Sequence, residues 1–329
     1  MAVPVPPEGL PPARIVNVPG HGEMLVRESA PASTPNVHGR PVPTIALLHG
    51  WTASADLNWF RAYPTLAARW HVVAMDHRGH GRGIRSEDRF TLEAAADDVA
   101  ALLRTIGASS ASRRASPAVP AVLVGYSMGG PIALLAAHRH PDVVRGLVLQ
   151  ATALEWRATR RERIVWKTMA AVEYLFRLGR PRGIVEHALR DMVKRAPDLE
   201  PLVPWLKAEL RRGDPEALAD AGRALGNYDF RSHASGIDVP AAVVVTTKDR
   251  LVRPRKQRQL AAALPTVRTY ELPGDHDAAA VLGDAFARVT AQAVEWVLAR
   301  AEPRDGGGTP SRPTPPPAST TPPAPASRR

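Results

Sequence analysis

A serine in this chain lies at the turn between a predicted strand and a predicted helix. An apolar run at 121–124 leads into Gly125-Tyr126-Ser127-Met128-Gly129, and a helix-like segment follows at 131–140. In this context a Gly-x-Ser-x-Gly motif places the serine hydroxyl on a strained turn above the sheet edge. Glycine fits at both motif positions because a β-carbon there would collide with a neighbouring element. The simpler interpretation is therefore a glycine-rich turn that only packs well. We predict that Ser127 is a nucleophile.

A serine hydroxyl needs a base to take its proton, and that base needs a partner that fixes its tautomer. Asp249 follows an apolar run at 241–247, and His276 follows a strand-like run at 269–272. Both residues therefore fall at the carboxyl ends of predicted strands, the edge where open α/β sheets bind their ligands. The chain order serine, acid, histidine is the one found with this motif. We predict a catalytic triad of Ser127, Asp249 and His276.

Two further carboxylates flank the predicted base and compete for its imidazole. Asp275 and Asp277 are the chain neighbours of His276, which leaves them too close in sequence to reach behind the ring. We therefore favour Asp249, whose alternative role is to cap the helix that follows it. The alternative for His276 is an exposed loop histidine with no part in the chemistry.

A tetrahedral intermediate needs hydrogen-bond donors for its oxyanion. One predicted donor is the backbone N–H of Met128, which follows the nucleophile at the start of a helix. The other is the backbone N–H of Trp51, in the loop after the apolar run at 44–48. The alternative role of Trp51 is to cover the core with its indole ring.

Three histidines near these segments raise the question of a metal site. His77 and His80 lie in the glycine-rich loop after a predicted strand, and no third ligand is evident, so a turn that closes the strand edge is favoured over zinc. We expect His49 to bond the backbone near the site. The chain has no cysteine, which excludes disulfides, thiolate metal sites and cysteine nucleophiles. We predict no metal site.

Apolar strands alternate with helical patterns along much of the chain. The sequence predicts a hairpin at 14–27, strands at 44–48, 71–76, 121–124, 145–150, 241–247 and 269–272, and helices at 59–69, 91–106, 131–140, 254–264 and 278–299. Continuous apolar strands separated by helices indicate an α/β fold, with a mostly parallel sheet covered by helices on both faces.

This alternation breaks between residues 154 and 231, where the sequence is helical without a strand-like run. We interpret 154–231 as a helical cap inserted over the strand ends. Its apolar faces are expected to pack mainly on one another and on the sheet. Part of them, with Trp166 and Phe176, is a candidate lining for a substrate pocket that also includes Tyr126.

The remaining chain divides into a core and two terminal segments. Residues 14–153 and 232–300 are predicted to form the core domain, and residues 1–13 a flexible arm. Residues 301–329 are rich in Gly, Pro, Ser and Thr with almost nothing apolar. Such a segment cannot bury enough surface to offset its ordering entropy, so we predict a disordered tail.

The composition argues against several classes of protein. The 329-residue chain carries a formal charge of +11, but Lys and Arg are mixed with acids and not interleaved with aromatics. We therefore predict a solvated basic surface and no nucleic-acid partner. The N-terminus lacks a signal-peptide pattern, and no apolar run approaches the roughly 20 residues of a membrane span. We expect a cytoplasmic protein; basic residues at 157–167 also fit contact with an anionic membrane surface, a weaker alternative.

Five segments together resemble the α/β-hydrolase superfamily, in particular its members with a serine nucleophile and a helical cap. The segments are Leu48-His49-Gly50-Trp51, Asp76-His77-Arg78-Gly79-His80-Gly81, Gly125-Tyr126-Ser127-Met128-Gly129-Gly130, Lys248-Asp249-Arg250 and Gly274-Asp275-His276. The resemblance covers residues 14–300. It implies an eight-stranded, mostly parallel sheet and cofactor-free hydrolysis through an acyl-enzyme. Epoxide hydrolases and dehalogenases of this superfamily carry aspartate at the position of Ser127, so the serine argues against both.

We therefore expect a serine hydrolase whose substrate is a small-molecule carboxylic ester and which needs no cofactor. The same three side chains also serve acyl transfer, perhydrolysis of the cofactor-free haloperoxidase type, and C–C bond hydrolysis. A hydrolase-like ligand receptor is an alternative from a different class, and a lipase that acts at a membrane surface is a third.

Overall fold

The computed structural model describes residues 4–31, 42–111, 120–157 and 182–301. Its strands are β1 (Ala13–Val18), β2 (Gly22–Ser29), β3 (Thr44–Leu48), β4 (His71–Met75), β5 (Ala121–Tyr126), β6 (Val144–Gln150), β7 (Ala241–Thr246) and β8 (Val267–Leu272). They form an eight-stranded open sheet in the order β1-β2-β4-β3-β5-β6-β7-β8. The β1–β2 and β2–β4 pairs are antiparallel and all later pairs are parallel. The predicted mostly parallel α/β sheet is confirmed.

Helices cover both faces of this sheet. In the described residues the α-helices are α1 (Ala55–Trp59), α2 (Tyr63–Ala67), α3 (Leu92–Ala111), α4 (Gly129–Arg139), α5 (Arg182–Arg195), α6 (Val203–Leu210), α7 (Pro215–Asn227), α8 (Pro254–Ala263), α9 (Ala278–Val281) and α10 (Gly283–Ala301). Short 3₁₀ turns lie at Pro141–Val143, Pro197–Leu202 and Ala234–Gly236.

Two predicted helices are each divided in the structure. The segment predicted as one helix at 59–69 belongs to α1 and α2, because the Ser54 side chain caps an earlier start and Pro64 begins a separate turn. The helix predicted at 278–299 is interrupted between α9 and α10. Gly283 there has a φ of +32°, which lies outside the right-handed helical range and favours glycine.

The central strand β5 connects two hydrophobic cores. All six of its residues are buried. Val122 and Val124 belong to the core on one face together with Phe286 of α10, whereas Leu123 belongs to the core on the other face together with Ile132 of α4. Burial on both faces explains why this strand is a continuous apolar run.

The residues before β1 contact the body of the protein. Leu10 packs against buried apolar side chains, and the carbonyl of Pro11 accepts a hydrogen bond of 2.8 Å from Arg27. The last residues of the predicted flexible arm are therefore held in place. The predicted tail from residue 302 onward lies outside the described residues.

The segment between β6 and β7, called here the inserted segment (residues 154–231), contains α5, α6 and α7. Its two ends meet, since Glu155 and Asp229 form an isolated antiparallel bridge. Lys256 of α8 holds this junction on the core, with its ammonium 3.1 Å from both the carbonyl and the carboxylate of Glu155. Within the described ranges, no helix has the length and apolar character needed to cross a membrane.

Candidate active site

The turn from β5 to α4 holds Ser127 in a strained conformation. Ser127 has a φ of +52°, which a residue with a β-carbon rarely adopts. A β-carbon at Gly125 would lie 2.3 Å from the Gly129 carbonyl oxygen, and one at Gly129 would lie 2.1 Å from the Leu48 carbonyl oxygen. Only glycine fits at either position, as the sequence indicated, and the tight turn projects the serine toward the loop after β3.

The three side chains predicted as a triad lie in contact. His276 Nε2 is 3.0 Å from Ser127 Oγ, and His276 Nδ1 is 2.8 Å from Asp249 Oδ2. Ser127 and Asp249 are 6% and 3% exposed, so the hydroxyl and the carboxylate both lie under protein. In the tautomer protonated at Nδ1, the imidazole donates to the carboxylate and accepts the hydroxyl proton.

The loop after β7 fixes the carboxylate of Asp249. Oδ1 accepts the backbone N–H groups of Leu251 and Val252 at 2.9 and 2.8 Å. Oδ2 accepts the Thr246 hydroxyl at 2.8 Å and a longer contact of 3.4 Å from Gln257. One oxygen therefore shapes the turn before α8, and the other faces His276.

The two carboxylates beside His276 have other partners. Asp275 forms a 2.6 Å ion pair with Arg250 and accepts the backbone N–H groups of Arg250 and His276. Burial alone would raise the pKa of Asp275, but these hydrogen bonds lower it overall. Asp277 accepts two hydrogen bonds from Arg195 at the end of α5. The preference for Asp249 as the partner of the imidazole therefore agrees with the geometry.

A pocket of about 170 Å³ opens beside Ser127 and His276. Its walls are formed by α1, by α6, by the loop after β3 and by the segment around α9. Besides Ser127 and His276, the lining residues are Gly50, Trp51, Thr52, Ala53, Leu57, Asn58, Tyr126, Leu210, Asp277, Ala279 and Ala280. Tyr126, which was predicted to line a substrate pocket, lies on the wall of this cavity, and its hydroxyl donates 2.7 Å to the His276 carbonyl. Trp166 and Phe176, the other predicted lining residues, lie outside the described residues.

The loop after β3 passes directly over the nucleophile. A β-carbon at Gly50 would lie 3.2 Å from Ser127 Cβ, and the Gly50 N–H donates 3.0 Å to Asn58 Oδ1. Trp51, one predicted oxyanion donor, follows Gly50 on the rim of the pocket. Met128, the other, directly follows Ser127, precedes α4 and is fully buried.

Beneath this loop three imidazoles cluster. The His49 ring lies 4.3 Å from that of His77 and 5.5 Å from that of His80, centroid to centroid. Burial lowers the pKa of His49 to about 4, so the ring is neutral at pH 7. Its Nε2 accepts the His77 N–H at 2.9 Å and its Nδ1 lies 2.8 Å from the Gly50 carbonyl, the backbone role expected for His49. In the part of the chain that the structure describes, no group of His, Asp or Glu forms a candidate metal site.

Comparison with known proteins identifies the family. The sequence profile of the alpha/beta hydrolase fold matches residues 43–279. The chain belongs to the α/β-hydrolase family. This member is 32% identical over 283 residues to a pimeloyl-[acyl-carrier protein] methyl ester esterase of Neisseria meningitidis serogroup A, covering 83% of this chain and 85% of that enzyme. It is also 32% identical over 237 residues to the Chromobacterium violaceum enzyme of the same name, covering 70% and 85%.

Solved structures share the fold of this hydrolase. The enol-lactonase from Burkholderia xenovorans LB400 superimposes with a TM-score of 0.70 at 24% identity, covering 86% of this chain and 100% of that one. A thermophilic esterase from Thermogutta terrifontis superimposes with a TM-score of 0.68 at 20% identity, covering 88% and 100%. The eight-stranded α/β-hydrolase architecture that the sequence resemblance implied is therefore confirmed.

Sequence reasoning missed the side chains that support the three predicted site residues. Tyr126 was expected to line the pocket, but its hydrogen bond to the His276 loop was not foreseen, and Gln257 was not considered. Thr246 lies three residues before Asp249, at the end of β7. This short spacing is the one weak hint in the sequence that its hydroxyl could donate to the Asp249 carboxylate. The contacts of Tyr126 and Gln257 depend on the packing of distant segments, for which the sequence has no local signal.

Proposed function

We propose that this α/β-fold hydrolase is a serine esterase that works through an acyl-enzyme, with Ser127 as nucleophile, His276 as base and Asp249 as the acid. The observation that supports the proposal is the continuous series of contacts from Asp249 Oδ2 through the His276 imidazole to Ser127 Oγ, at the wall of a pocket. A buried carboxylate behind the ring favours the tautomer that can accept the hydroxyl proton, and it stabilises the imidazolium that forms.

In the acylation step, Ser127 Oγ attacks the ester carbonyl carbon as its proton moves to His276 Nε2. The carbonyl oxygen becomes an oxyanion, which the backbone N–H groups of Trp51 and Met128 are proposed to bind. His276 then gives the proton to the departing alkoxide, so that the alcohol leaves and the acyl group stays on Ser127.

In the deacylation step, water takes the place of the alcohol. His276 removes a proton from this water, whose oxygen attacks the acyl carbonyl carbon. When the second tetrahedral intermediate collapses, His276 returns the proton to Ser127 Oγ and the carboxylic acid is released. Asp249 keeps its charge throughout and stabilises the imidazolium in both halves of the reaction.

A small alcohol group is the proposed leaving part of the substrate. Two relatives covering most of this chain are named as methyl ester esterases. The pocket beside Ser127 has a volume of about 170 Å³ and is lined partly by the apolar residues Leu57, Leu210, Ala279 and Ala280. We propose that the inserted segment acts as a helical cap over this pocket, because Leu210 belongs to it.

The proposal is tested with methyl, butyl and octyl esters of one carboxylic acid, assayed on wild-type protein and on Ser127→Ala and His276→Ala. Wild-type protein should hydrolyse the methyl ester with the highest kcat/KM, and each substitution should lower kcat by about 10⁴-fold or more. Asp88→Asn, which changes an exposed loop residue, serves as a control with unchanged kcat. Ester turnover by Ser127→Ala above one hundredth of the wild-type rate would contradict the assignment.

A further inference from the structure

The loop that carries one proposed oxyanion donor is held by the inserted segment as well as by the core. We define this oxyanion loop as residues 49–54. At its end the Ser54 hydroxyl accepts the Leu57 N–H at 3.2 Å, which caps α1, and donates 3.1 Å to Glu209 Oε2. Glu209 belongs to α6, far along the chain from the loop. One hydroxyl therefore connects the start of α1 to a carboxylate of the inserted segment.

The carboxylate of Glu209 is completely buried and held from several sides. Arg82, in the loop after β4, reaches Oε2 at 3.0 Å and Oε1 at 2.5 Å, and Arg212 reaches Oε1 at 2.8 Å. The side chain of Glu209 has no exposed surface. A buried carboxylate with two guanidinium partners is fixed in direction, because any rotation would leave a charge unpaired. Its bond to Ser54 is therefore a rigid support.

A second contact fastens the same loop to another helix of the inserted segment. The Trp51 indole N–H donates 2.7 Å to the carbonyl of Leu218 in α7. The ring also packs on Gly222, where a β-carbon would lie 2.7 Å from the indole. The oxyanion loop thus has one attachment to α6 and one to α7. Ser127 and His276 follow the core strands β5 and β8, and neither of these two hydrogen bonds involves them.

We propose that Glu209 is a positioning residue for the oxyanion hole. Through Ser54 it fixes the loop that carries the Trp51 N–H, so that the donor is in place when the inserted segment is seated on the core. This inference rests on the proposed serine esterase function. Glu209 touches no reacting atom and acts only through the loop. In this proposal the inserted segment contributes to binding of the transition state, besides covering the pocket.

The test compares Glu209→Gln and Ser54→Ala with the wild type on a p-nitrophenyl ester. Active sites are first counted by end-point titration with a fluorophosphonate, so that loss of folded protein lowers the count and not the rate per site. Glu186→Gln is the matched control, since Glu186 lies on α5, is half exposed and contacts Lys207 at 3.8 Å without reaching the oxyanion loop. Melting temperatures are recorded for all variants.

We expect kcat per titrated site to fall at least fivefold in Ser54→Ala and in Glu209→Gln. Complete loss of one oxyanion donor lowers kcat by about 10²–10³-fold, and a displaced loop weakens that donor without removing it. KM should stay within threefold, and the pH at half-maximal kcat/KM should not move, since His276 and Asp249 keep their contacts. Ser54→Ala leaves the Glu209 ion pairs in place, so it remains informative if Glu209→Gln does not fold.

A fall of less than fivefold in Ser54→Ala, or in a folded Glu209→Gln, would overturn the proposal, as would an equal fall in Glu186→Gln. The parent proposal fails in a different way. If wild-type esterase activity survives in Ser127→Ala, the serine mechanism is wrong; if Ser127→Ala is inactive while Ser54→Ala is normal, only the role of Glu209 is wrong.

Discussion

The Tyr126 hydroxyl donates a 2.7 Å hydrogen bond to the main-chain carbonyl of His276. The residue before the proposed nucleophile therefore holds the loop that carries the proposed base. Burial and the nearby charge of Asp249 raise the pKa of the Tyr126 phenol well above its usual range, so it stays a hydrogen-bond donor at any pH of interest. Strand β5 thus sets the position of both Ser127 and His276.

Tyr126→Phe removes this hydrogen bond and leaves a carbonyl without its buried donor. Because a net hydrogen bond contributes about 1 kcal/mol, we expect kcat to fall about fivefold with little change in KM. Steady-state kinetics on a p-nitrophenyl ester measures this. Tyr63→Phe is the matched control, because within the described part of the chain the Tyr63 hydroxyl has no hydrogen-bond partner. Equal activity in both variants would show that the His276 loop needs no such support.

The choice among the three carboxylates near the imidazole predicts a sharp difference between two isosteric changes. Asp249→Asn should lower kcat by about 10⁴-fold, since an amide in that place favours the wrong imidazole tautomer. Asp275→Asn should keep kcat within about tenfold, because the Asp275 carboxylate pairs with the largely exposed Arg250, whereas the imidazole pairs with Asp249. Parallel kcat measurements at pH 8 decide between them. A larger loss of kcat in Asp275→Asn than in Asp249→Asn would show that Asp249 is not the acid of the triad.

The close approach at the turn after β5 predicts a large effect of one methyl group. A β-carbon at Gly125 would lie 2.3 Å from the Gly129 carbonyl oxygen, in backbone that cannot move aside. We expect Gly125→Ala to lower the free energy of unfolding by about 3 kcal/mol and to abolish ester hydrolysis. Gly236→Ala is the control, since among the described residues, its own chain neighbours aside, no atom lies within 4 Å of a β-carbon there. Urea unfolding of both variants measures the difference, and similar midpoints would be inconsistent with the geometry.

A carboxylate that joins β2 to β4 predicts a pH-dependent contribution to stability. The Glu28 carboxylate contacts His71 Nε2 at 2.8 Å and Arg14 at 2.5 Å. Hydrogen bonds from His71 and Arg14 lower the pKa of Glu28 from 4.5 to about 2. Because the native state binds this proton less readily than the unfolded chain, the stabilisation is complete above about pH 4.5 and is lost as the pH falls toward 2.

Glu28→Gln should therefore be less stable than the wild type by about 1–2 kcal/mol at pH 7, allowing for partial exposure of the ion pair. The difference should shrink steadily as the pH is lowered from 4.5 to 2.5. Unfolding free energies from urea titrations at several pH values provide the check. Glu271→Gln removes an exposed pair with Arg258 and should change stability by less than about 0.5 kcal/mol. A wild-type to Glu28→Gln difference that does not vary with pH would contradict the linkage.

Much of the fold follows from local patterns in the sequence. After Thr44, the runs at 44–48 and 121–124 are apolar because both sheet faces are buried, and their positions agree with β3 and β5. Since parallel strands end at one edge, the residues after β5, β7 and β8 were expected to meet, and Ser127, Asp249 and His276 do lie in contact. The common direction of the parallel strands is what brings these distant residues to one edge of the sheet.

Other features depend on information that a local pattern lacks. The apolar spacing at 278–299 continues across Gly283, so periodicity does not reveal the break that its positive φ produces. The bond between Ser54 and Glu209 joins residues 155 positions apart, and its formation depends on how α6 packs on the core. Long-range side-chain contacts of this kind could not be predicted from residue types or spacing.

The proposed reaction passes through a covalent acyl-enzyme on Ser127, and trapping this species is the sharpest test of the mechanism. Wild-type protein and Ser127→Ala are mixed with a p-nitrophenyl ester, quenched in acid within the first turnover and analysed by peptide mass spectrometry. We expect one acyl group per chain, on the peptide containing Ser127, and none in Ser127→Ala. An acyl group on another residue, or equal labelling of Ser127→Ala, would contradict it.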